Sequence, residues 1–293
     1  MSVKLGVAPI AWSNDDMPEL GRDTPLEQCL SEASQAGYSG IEAGGKFPKT
    51  SKELLPKLEK FNLQLCSGWH GAHLLKNSVK EEMIKIRQLL DLLKDCRAPC
   101  ITFAEVTEGI QGDQNKALSK RPQLDKETWK IFCDKITEMG RRLEDENMPL
   151  AYHHHMGTYI QNETEIHRLL SDTDPKTVSL CADTGHMYFA GIDPVRYFEN
   201  NMNRIKHIHF KDLRSNIFNN LNFKEVSFLK AVLRGVFTVP GDGCIDFEAI
   251  SNEIIKSKYG GWIIVEAEQD PAIANPLKYA MQSKQYLNKI WGN

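Results

Sequence analysis

The sequence predicts an α/β protein with one (β/α)8 fold, the TIM barrel. Short apolar runs alternate with helical patterns from one end of the chain to the other, which is typical of βα units and a parallel sheet. We count eight such units in 293 residues. Since barrels routinely use about 250 residues as one domain, eight units favour a closed barrel over an open doubly wound sheet. We therefore expect residues 1–293 to form a single domain.

The eight strands are predicted from short apolar runs bounded by turn residues. These runs lie at residues 4–9, 40–43, 63–67, 100–104, 149–154, 178–182, 204–210 and 261–266. A longer stretch with helical periodicity follows each run. The helices are predicted to begin near Pro25, Ser51, Val79, Asp125, Asn162, Pro194, Asp246 and Pro276. At two of these starts, Thr24 and Asp193 place a capping oxygen ahead of a proline, whose missing N–H costs nothing there.

Two connections are too long to be plain loops. The connection over residues 213–243 is both long and apolar, and an insertion of this kind usually acts as a lid or a substrate wall. The connection from Glu105 to Leu124 is polar and contains glycine. Both follow predicted strands, so both should lie on the face where barrel enzymes carry out chemistry.

Composition excludes several classes of protein. The net charge is -3 and the basic residues are scattered, so no basic stripe is present for nucleic acid. No run approaches 18 uninterrupted apolar residues, and the first residues lack a cleavage-site pattern, so we expect no membrane association and a cytoplasmic location. Seven cysteines with no CxxC pair argue against a disulfide framework or a zinc ribbon. Most of them should be small core residues.

Four motifs place polar residues at predicted strand ends, where core packing cannot explain them. They are AYHHHMGT (151–158), CADTGH (181–186), HIHFKD (207–212) and VEAEQD (265–270). With two earlier strand ends, they give the candidates Glu42, Glu105, His154, Asp183, His209 and Glu266. A mixture of imidazoles and carboxylates suits a first-row divalent ion such as Mn, Co or Zn. The simpler explanation, a buried structural histidine, fits one such residue better than four.

Strand alternation restricts which neighbours share a face. In the triple histidine, either His154 with Tyr152 or His153 with His155 points inward, and we prefer His154. In HIHFKD, His207 and His209 share a face, with His209 nearer the mouth and Lys211 above it. Trp12 and Trp69 at strand ends are expected to form an apolar wall against a sugar-like ring. Both are also plausible as aromatic residues of the hydrophobic core. GDGCIDF (241–247) is interpreted as a tight turn rather than a phosphate cradle, because it lacks the known phosphate-loop spacings.

The order of these motifs resembles the xylose-isomerase-like barrel superfamily of sugar isomerases, epimerases and endonuclease IV-type enzymes. The chain is more specifically similar to the inosose dehydratases of inositol catabolism. The similarity rests on GVAPIAWSNDDMPELG, IEAGGKFP, YHHHMGT, DTGH, HIHFKD, GVFTVPGDG and VEAEQDPAIANP, which span almost the whole chain. The resemblance implies removal of water from 2-keto-myo-inositol, a cyclic polyol ketone, to give a trihydroxycyclohexane-1,2-dione.

The resemblance also implies a ligand set. The superfamily holds its metal between a Glu, an Asp, a His and a second Glu, and the matching positions here are His154, Asp183, His209 and Glu266. The histidine in the first position departs from the isomerase pattern. The implied metal is Mn²⁺ or Co²⁺. Glutathione is also suggested for the family, although no residue pattern here demands it. The oligomeric state stays open, a homo-oligomer included.

Catalytic roles follow as hypotheses from the implied chemistry. Loss of water needs a base for the α-proton and an acid for the departing hydroxide. Glu266 is the first candidate for the base, with Glu42 and Glu105 in reserve or binding substrate. The acid is expected among His153, His154 and His186, and Lys211 should stabilise negative charge.

Three other functions compete with dehydration. A ketose or keto-polyol epimerase or isomerase on the same barrel would need two acid–base groups flanking one carbon, and the histidine at the first ligand position weakens it. A metal-dependent endonuclease is disfavoured by the negative net charge. A sugar-sensing module without turnover would leave the intact polar strand ends unexplained.

Overall fold

In the computed structural model, which describes residues 3–292, eight parallel strands close into a barrel. The ten strands are β1 (Lys4–Val7), β2 (Gly40–Ala43), β3 (Gln64–Ala72), β4 (Ile101–Glu105), β5 (Leu150–His153), β6 (Val178–Asp183), β7 (Ile205–Phe210), β8 (Asp212–Leu213), β9 (Phe237–Thr238) and β10 (Trp262–Val265). β1 to β7 follow one another around the barrel, and β10 closes it between β7 and β1. β8 and β9 form a separate antiparallel pair. The predicted barrel is confirmed.

The helices are α1 (Leu26–Gln35), α2 (Ser51–Lys60), α3 (Val79–Asp95), α4 (Lys126–Asp145), α5 (Glu163–Asp172), α6 (Thr184–Phe189), α7 (Pro194–Asn201), α8 (Ser215–Phe218), α9 (Phe228–Leu233), α10 (Phe247–Lys256) and α11 (Pro276–Trp291). The predicted cap at Asp193 is confirmed, because its carboxylate accepts the backbone N–H of Val195 and Arg196. The predicted cap at Thr24 is wrong, because α1 starts after Pro25 with no side-chain cap. Within residues 3–292, no helix has the length and apolar character needed to cross a membrane.

The lower part of the barrel interior is filled by a few side chains, many of them small. Cys66 packs with Ala8, Trp262 and Ile264, and Cys100, Ala151 and Cys181 form a second buried cluster above them. Gly40 has no room for a side chain, since a Cβ there would lie 2.6 Å from the Trp262 ring. These cysteines are therefore packing residues, as expected, and all seven thiols are free. With the interior filled, polar side chains can gather only at the mouth.

The two long connections meet on the same face of the barrel. The backbone N–H of Leu118 donates to the carbonyl of Val226 over 2.9 Å, which joins the loop after β4 to the 213–243 insertion. The insertion contains α8, α9 and β9, and its Phe228 and Phe237 are fully buried. The shared face is confirmed. The lid role expected from the length of the insertion stays a prediction.

Asp212 organises the glycine-rich turn that follows the insertion. Its carboxylate accepts the backbone N–H groups of Leu213, Gly241, Gly243 and Ile245, at 2.8 to 3.1 Å. A Cβ on Gly243 would overlap this carboxylate. Because a carboxylate of the chain itself already takes these N–H groups, the turn has none of them left for a phosphate. The interpretation of GDGCIDF as a tight turn is confirmed.

We predict that Asp212→Ala will loosen this turn before it unfolds the barrel. The change leaves four backbone N–H groups without their acceptor, and the two on the buried residues Leu213 and Ile245 cost about 1–3 kcal/mol each when unpaired. Amide hydrogen exchange at residues 239–245 should accelerate and the melting temperature should fall. The exposed Asp23, which makes no side-chain hydrogen bond among the described residues, provides a matched Asp→Ala control. Unchanged exchange at residues 239–245 would contradict this account of the turn.

Candidate metal centre and active site

A cavity of about 130 Å³ opens at the mouth of the barrel. This is well below the roughly 300–1,000 Å³ of sites for drug-sized ligands, so it suits a small molecule. Its polar or aromatic lining residues are Asp15, Asp16, Glu42, Trp69, Thr102, Gln111, His153, His155, His209, Glu266 and Glu268. No lysine or arginine of the described chain lines it. The cavity is therefore acidic and has no obvious counter-charge for a phosphate.

In the triple histidine, His153 and His155 line the cavity, and the prediction that His154 faces inward is wrong. Strand alternation places Ala151 in the barrel interior and Tyr152 outside, against Phe132 of α4. His154 shares the outward parity of Tyr152 and is fully buried, where its Nε2 accepts the backbone N–H of Asp183 over 3.4 Å. The size of Tyr152 is a signal that could have decided the parity, because a tyrosine does not fit beside Cys100 and Cys181.

Four side chains converge on one point of the cavity wall. Oδ2 of Asp183 lies 3.5 Å from Nε2 of His153 and 3.7 Å from Nδ1 of His209. The same Nδ1 of His209 lies 2.8 Å from Oε2 of Glu266. Asp183, His209 and Glu266 form one of the groups whose ligand atoms are close enough to share a metal ion. Three of the four residues expected as ligands thus come together, and His153 rather than His154 lies beside them.

The donor set fits a divalent cation. Nδ1 of His209 is buried and makes no hydrogen bond within the described structure, although Glu266 is adjacent. A lone pair aimed at a shared ion would explain this geometry. Three buried carboxylates, those of Asp183, Glu266 and Glu268, also share one lysine ammonium, that of Lys211. Two imidazoles with two carboxylates suit Mn, Co or Zn.

Glu42 lies beneath the convergence point and holds two histidines. Its Oε1 contacts Nε2 of His207 at 2.9 Å and Nε2 of His209 at 3.2 Å. Burial opposes a charge on Glu42, but His209 and His207 hold its pKa well below the usual range. His207 and His209 therefore share a face, as predicted. A carboxylate on the far nitrogen of a ligand histidine fixes its orientation and tautomer, so Glu42 lines the cavity mainly as a support for His209.

The Lys211 ammonium connects the other acidic groups. Its Nζ lies 2.6 Å from Glu266, 2.8 Å from Glu268 and 3.3 Å from Asp183. Lys211 is completely buried and does not line the cavity. Burial works against its charge, but the carboxylates of Asp183, Glu266 and Glu268 raise its pKa well above the ordinary value. Burial likewise opposes charge on Glu266, yet Lys211 and His209 lower the pKa of that carboxyl to about 2.

The DTGH motif is built around this lysine. The Thr184 hydroxyl accepts the N–H of Lys211 and donates to its carbonyl, at 3.0 and 2.8 Å. A Cβ on Gly185 would lie 2.6 Å from Cγ of Lys211, so only glycine leaves room for the lysine stem. His186 then contacts the Lys211 ammonium through Nε2 at 3.0 Å. His186 is fully buried and outside the cavity lining, so the structure does not place it against substrate.

His155 lines the cavity and has one ring nitrogen without a hydrogen bond in the described structure. Its Nδ1 lies 2.8 Å from the carbonyl of Met156, so the proton sits on Nδ1 and Nε2 carries the lone pair. Nε2 has no hydrogen-bond partner within residues 3–292. Phe228 of the insertion packs edge-on against the ring, with centroids 4.8 Å apart. Burial lowers the pKa of His155, which favours the neutral ring.

Two residues expected to contact substrate are turned away from the cavity. Trp12 is buried and its indole N–H donates to Glu32 over 2.6 Å. The Glu105 carboxylate is buried and accepts the backbone N–H groups of Leu74 and Thr107, at 2.6 and 2.8 Å. Both predictions of a substrate role are wrong, because each side chain satisfies a structural hydrogen bond. Trp69 does line the cavity and is 45% exposed.

Several cavity residues were missed in the sequence. Glu268 follows Glu266 by two positions, so the same alternation that selected Glu266 could have found it. Gln111 lies in the long loop after β4, and its Oε1 is buried without a partner among described residues. Asp16 comes from the loop after β1, which has no periodic pattern to show where its side chains point. These residues complete the acidic and neutral lining of the cavity.

Comparison with known proteins agrees with this architecture. A family model described as xylose isomerase-like TIM barrel matches residues 30–290. Two solved structures cover 98% of this chain: a probable 3-DHS dehydratase AsbF from Bacillus anthracis (99% of that chain, TM-score 0.68, 16% identity) and an IOLI protein with a bound zinc atom (98% of that chain, TM-score 0.66, 14% identity). At these identities the likeness supports the fold alone.

Curated relatives are much more similar in sequence. An inosose dehydratase from Geobacillus thermodenitrificans is 43% identical over 291 residues, covering 99% of this chain and 98% of that protein. One from Clostridium tetani is 42% identical, covering 98% and 97%. The rhizopine catabolism protein MocC of Rhizobium meliloti is 43% identical, covering 99% and 89%. By this similarity over nearly its full length, the chain belongs to the xylose isomerase-like TIM barrel family and, within it, to the inosose dehydratases.

Proposed function

We propose that this enzyme is a hydro-lyase that removes water from 2-keto-myo-inositol to give a trihydroxycyclohexane-1,2-dione. The observation that carries the proposal is the full-length similarity to named inosose dehydratases at 41 to 43% identity. The relative named for rhizopine catabolism is equally similar. Sequence identity alone therefore does not define the substrate, and the cavity has to be consistent with it.

The cavity lining suits a small, neutral, polyhydroxylated ring. Thr102 and Gln111 offer neutral hydrogen-bonding groups. The buried Oε1 of Gln111 accepts no hydrogen bond from the described residues, so it is free to accept one from a substrate hydroxyl. Trp69 supplies an aromatic face for the C–H side of a ring. The acidic lining disfavours sugar phosphates. Among these lining residues, Trp69 is the one that we keep from the predicted substrate-binding set.

We assign the metal to His153, Asp183, His209 and Glu266, and propose Mn²⁺ or Co²⁺ as the ion. The assignment is supported by the convergence of their ligand atoms and by the partnerless Nδ1 of His209. When bound, such an ion polarises a substrate carbonyl and lowers the energy of the negative charge that develops on it. Glu42 keeps His209 in the orientation that this requires, through its contact with Nε2.

Proton removal is assigned to His155. Glu266, the first candidate for the base, is less suited, because its Oε1 is paired with Lys211 and its Oε2 lies beside Nδ1 of His209, where we place the metal. His155 also lines the cavity, and its Nε2 carries a lone pair. It would take the proton from the carbon next to the ketone. The C–H electron pair would first be delocalised onto the ketone oxygen as an enolate. In a second step the ketone re-forms, a double bond forms between the α-carbon and the next carbon, and the hydroxyl on that carbon leaves with its bonding electrons; the resulting enol tautomerises to the dione.

Lys211 supports these steps from behind the cavity wall. Its ammonium pairs with Glu266 and Glu268 and so fixes the direction in which each carboxylate points. It also reduces the repulsion between neighbouring carboxylates that would otherwise separate them. His186 in turn accepts from this ammonium and packs against the His155 ring, with centroids 4.4 Å apart. Lys211 and His186 are therefore positioning residues, not groups that touch the substrate.

We predict that protein stripped of metal will not convert 2-keto-myo-inositol, and that added Mn²⁺ or Co²⁺ will restore conversion. The dione is followed by its ultraviolet absorbance, with and without reduced glutathione. Substrate consumption that yields a new polyol ketone, and no dione, would replace dehydration by epimerisation. If the metal-loaded protein binds the substrate but never consumes it, a sensing module explains the chain better.

We predict effects of very different size on metal binding for two neighbouring histidines. His153→Gln removes a ligand and should weaken Co²⁺ binding by more than about 100-fold, whereas His154→Gln should change it by less than about tenfold. Binding is measured by competition with a chromogenic chelator, and circular dichroism checks that both variants fold. The reverse order of effects would restore His154 as the ligand and contradict the parity of β5.

A further inference from the structure

Asp16 is the one cavity carboxylate for which the described chain provides no hydrogen bond and no salt bridge. Its neighbours are used to hold the loop after β1. Oδ1 of Asn14 accepts the backbone N–H groups of Asp16 and Met17, at 2.8 and 2.9 Å. Oδ2 of Asp15 accepts the N–H of Gly45 at 2.8 Å. The loop is thus anchored on both sides of Asp16, whose side chain lines the cavity.

The proposed dehydration needs a proton donor that the residues assigned so far do not supply. Hydroxide leaves poorly unless it is protonated as the carbon–oxygen bond breaks. His155 is occupied as the base. Glu266 and Glu268 are each paired with the Lys211 ammonium, so neither is free to serve as a neutral acid. Asp16 reaches the same cavity from the loop after β1, and its side chain makes no hydrogen bond or salt bridge within the described chain.

We propose that Asp16 is the general acid that protonates the departing hydroxyl group. This role rests on the dehydration proposed above. As the carbon–oxygen bond breaks, its electron pair stays with the oxygen, the Asp16 proton moves to that oxygen, and one water molecule forms. Asp16 is left as a carboxylate. Because it is exposed to solvent at the mouth, it can regain a proton directly from water before the next turnover.

The surroundings of Asp16 favour the protonated form. Partial desolvation at the mouth and the nearby carboxylates of Glu268, Asp15 and Glu266 raise the pKa of Asp16 to about 6, against an opposing effect of Lys211. An acid with a pKa near the working pH is an efficient donor. Since the protonated form is the active one, kcat/KM should fall as the pH rises above about 6. This alkaline decline should be absent from a variant that cannot titrate at position 16.

Asp16→Asn separates proton abstraction from loss of the hydroxyl. The variant should still exchange the α-hydrogen of 2-keto-myo-inositol with deuterium from D2O, as seen by NMR, while dione formation falls by about 10²–10⁴-fold. A substrate analogue with fluorine in place of the β-hydroxyl needs no acid. Its elimination, followed as fluoride release, should stay within about tenfold of the wild-type rate. Glu19→Gln, an exposed carboxylate of the same loop outside the cavity lining, is the matched control.

Each outcome separates the two proposals. Wild-type protein that forms no dione at all overturns the dehydration and the acid role with it. Wild-type activity that is matched by Asp16→Asn overturns the acid role alone. Equal loss of deuterium exchange, fluoride release and dione in Asp16→Asn would show that Asp16 serves binding or loop structure instead, and would also overturn it.

Discussion

The buried ammonium of Lys211 is the interaction on which the rest of the site depends. Carboxylates from the ends of β6 and from the segment after β10 approach one another in a low-dielectric interior, where their mutual repulsion is large. Lys211 lies within 3.3 Å of all three, those of Asp183, Glu266 and Glu268. Burying a lysine is costly unless it is paired. The lysine and its carboxylates are therefore stable only together. The DTGH motif holds the Lys211 backbone through the Thr184 hydroxyl, and its Gly185 leaves room for the lysine side chain.

The narrow interior of the barrel determines which side chains reach the mouth. Lower positions are filled by Cys66, Cys100, Ala151 and Cys181, with Trp262 at the bottom. Alternation then carries His153 and His209 to the cavity from the strands that contain Ala151 and His207. The groups proposed to bind the metal come from β5, β6, β7 and the segment after β10, whereas Asp16 follows β1 and Trp69 belongs to β3. The substrate would lie between the proposed base His155, which follows β5, and Asp16, which follows β1, four strands away around the barrel.

Strand positions, barrel closure and three of the four converging side chains could be predicted from the sequence, because each depends on periodicity and strand order. The choice between His153 and His154 depended on the width of the barrel, which hydrophobic periodicity does not encode, although the bulk of Tyr152 carried the information. Trp12 and Glu105 were misassigned because a polar or aromatic residue at a strand end may equally satisfy a structural hydrogen bond, and their partners, Glu32 and Leu74, are 20 and 31 residues away. Asp16 and Gln111 lie in loops whose conformations follow from tertiary contacts.

The most direct measurement of the central claim is the position of Co²⁺ by anomalous diffraction from crystals of the metal-loaded enzyme. The account predicts one peak bound by Nε2 of His153, Nδ1 of His209, Asp183 and Glu266, with the Lys211 ammonium still hydrogen-bonded to the other oxygen of Glu266. His154 should remain outside the coordination sphere. A peak held instead by His155, His186 and Glu268, another group of ligand atoms beside Lys211, would contradict both the metal centre and the assignment of the base.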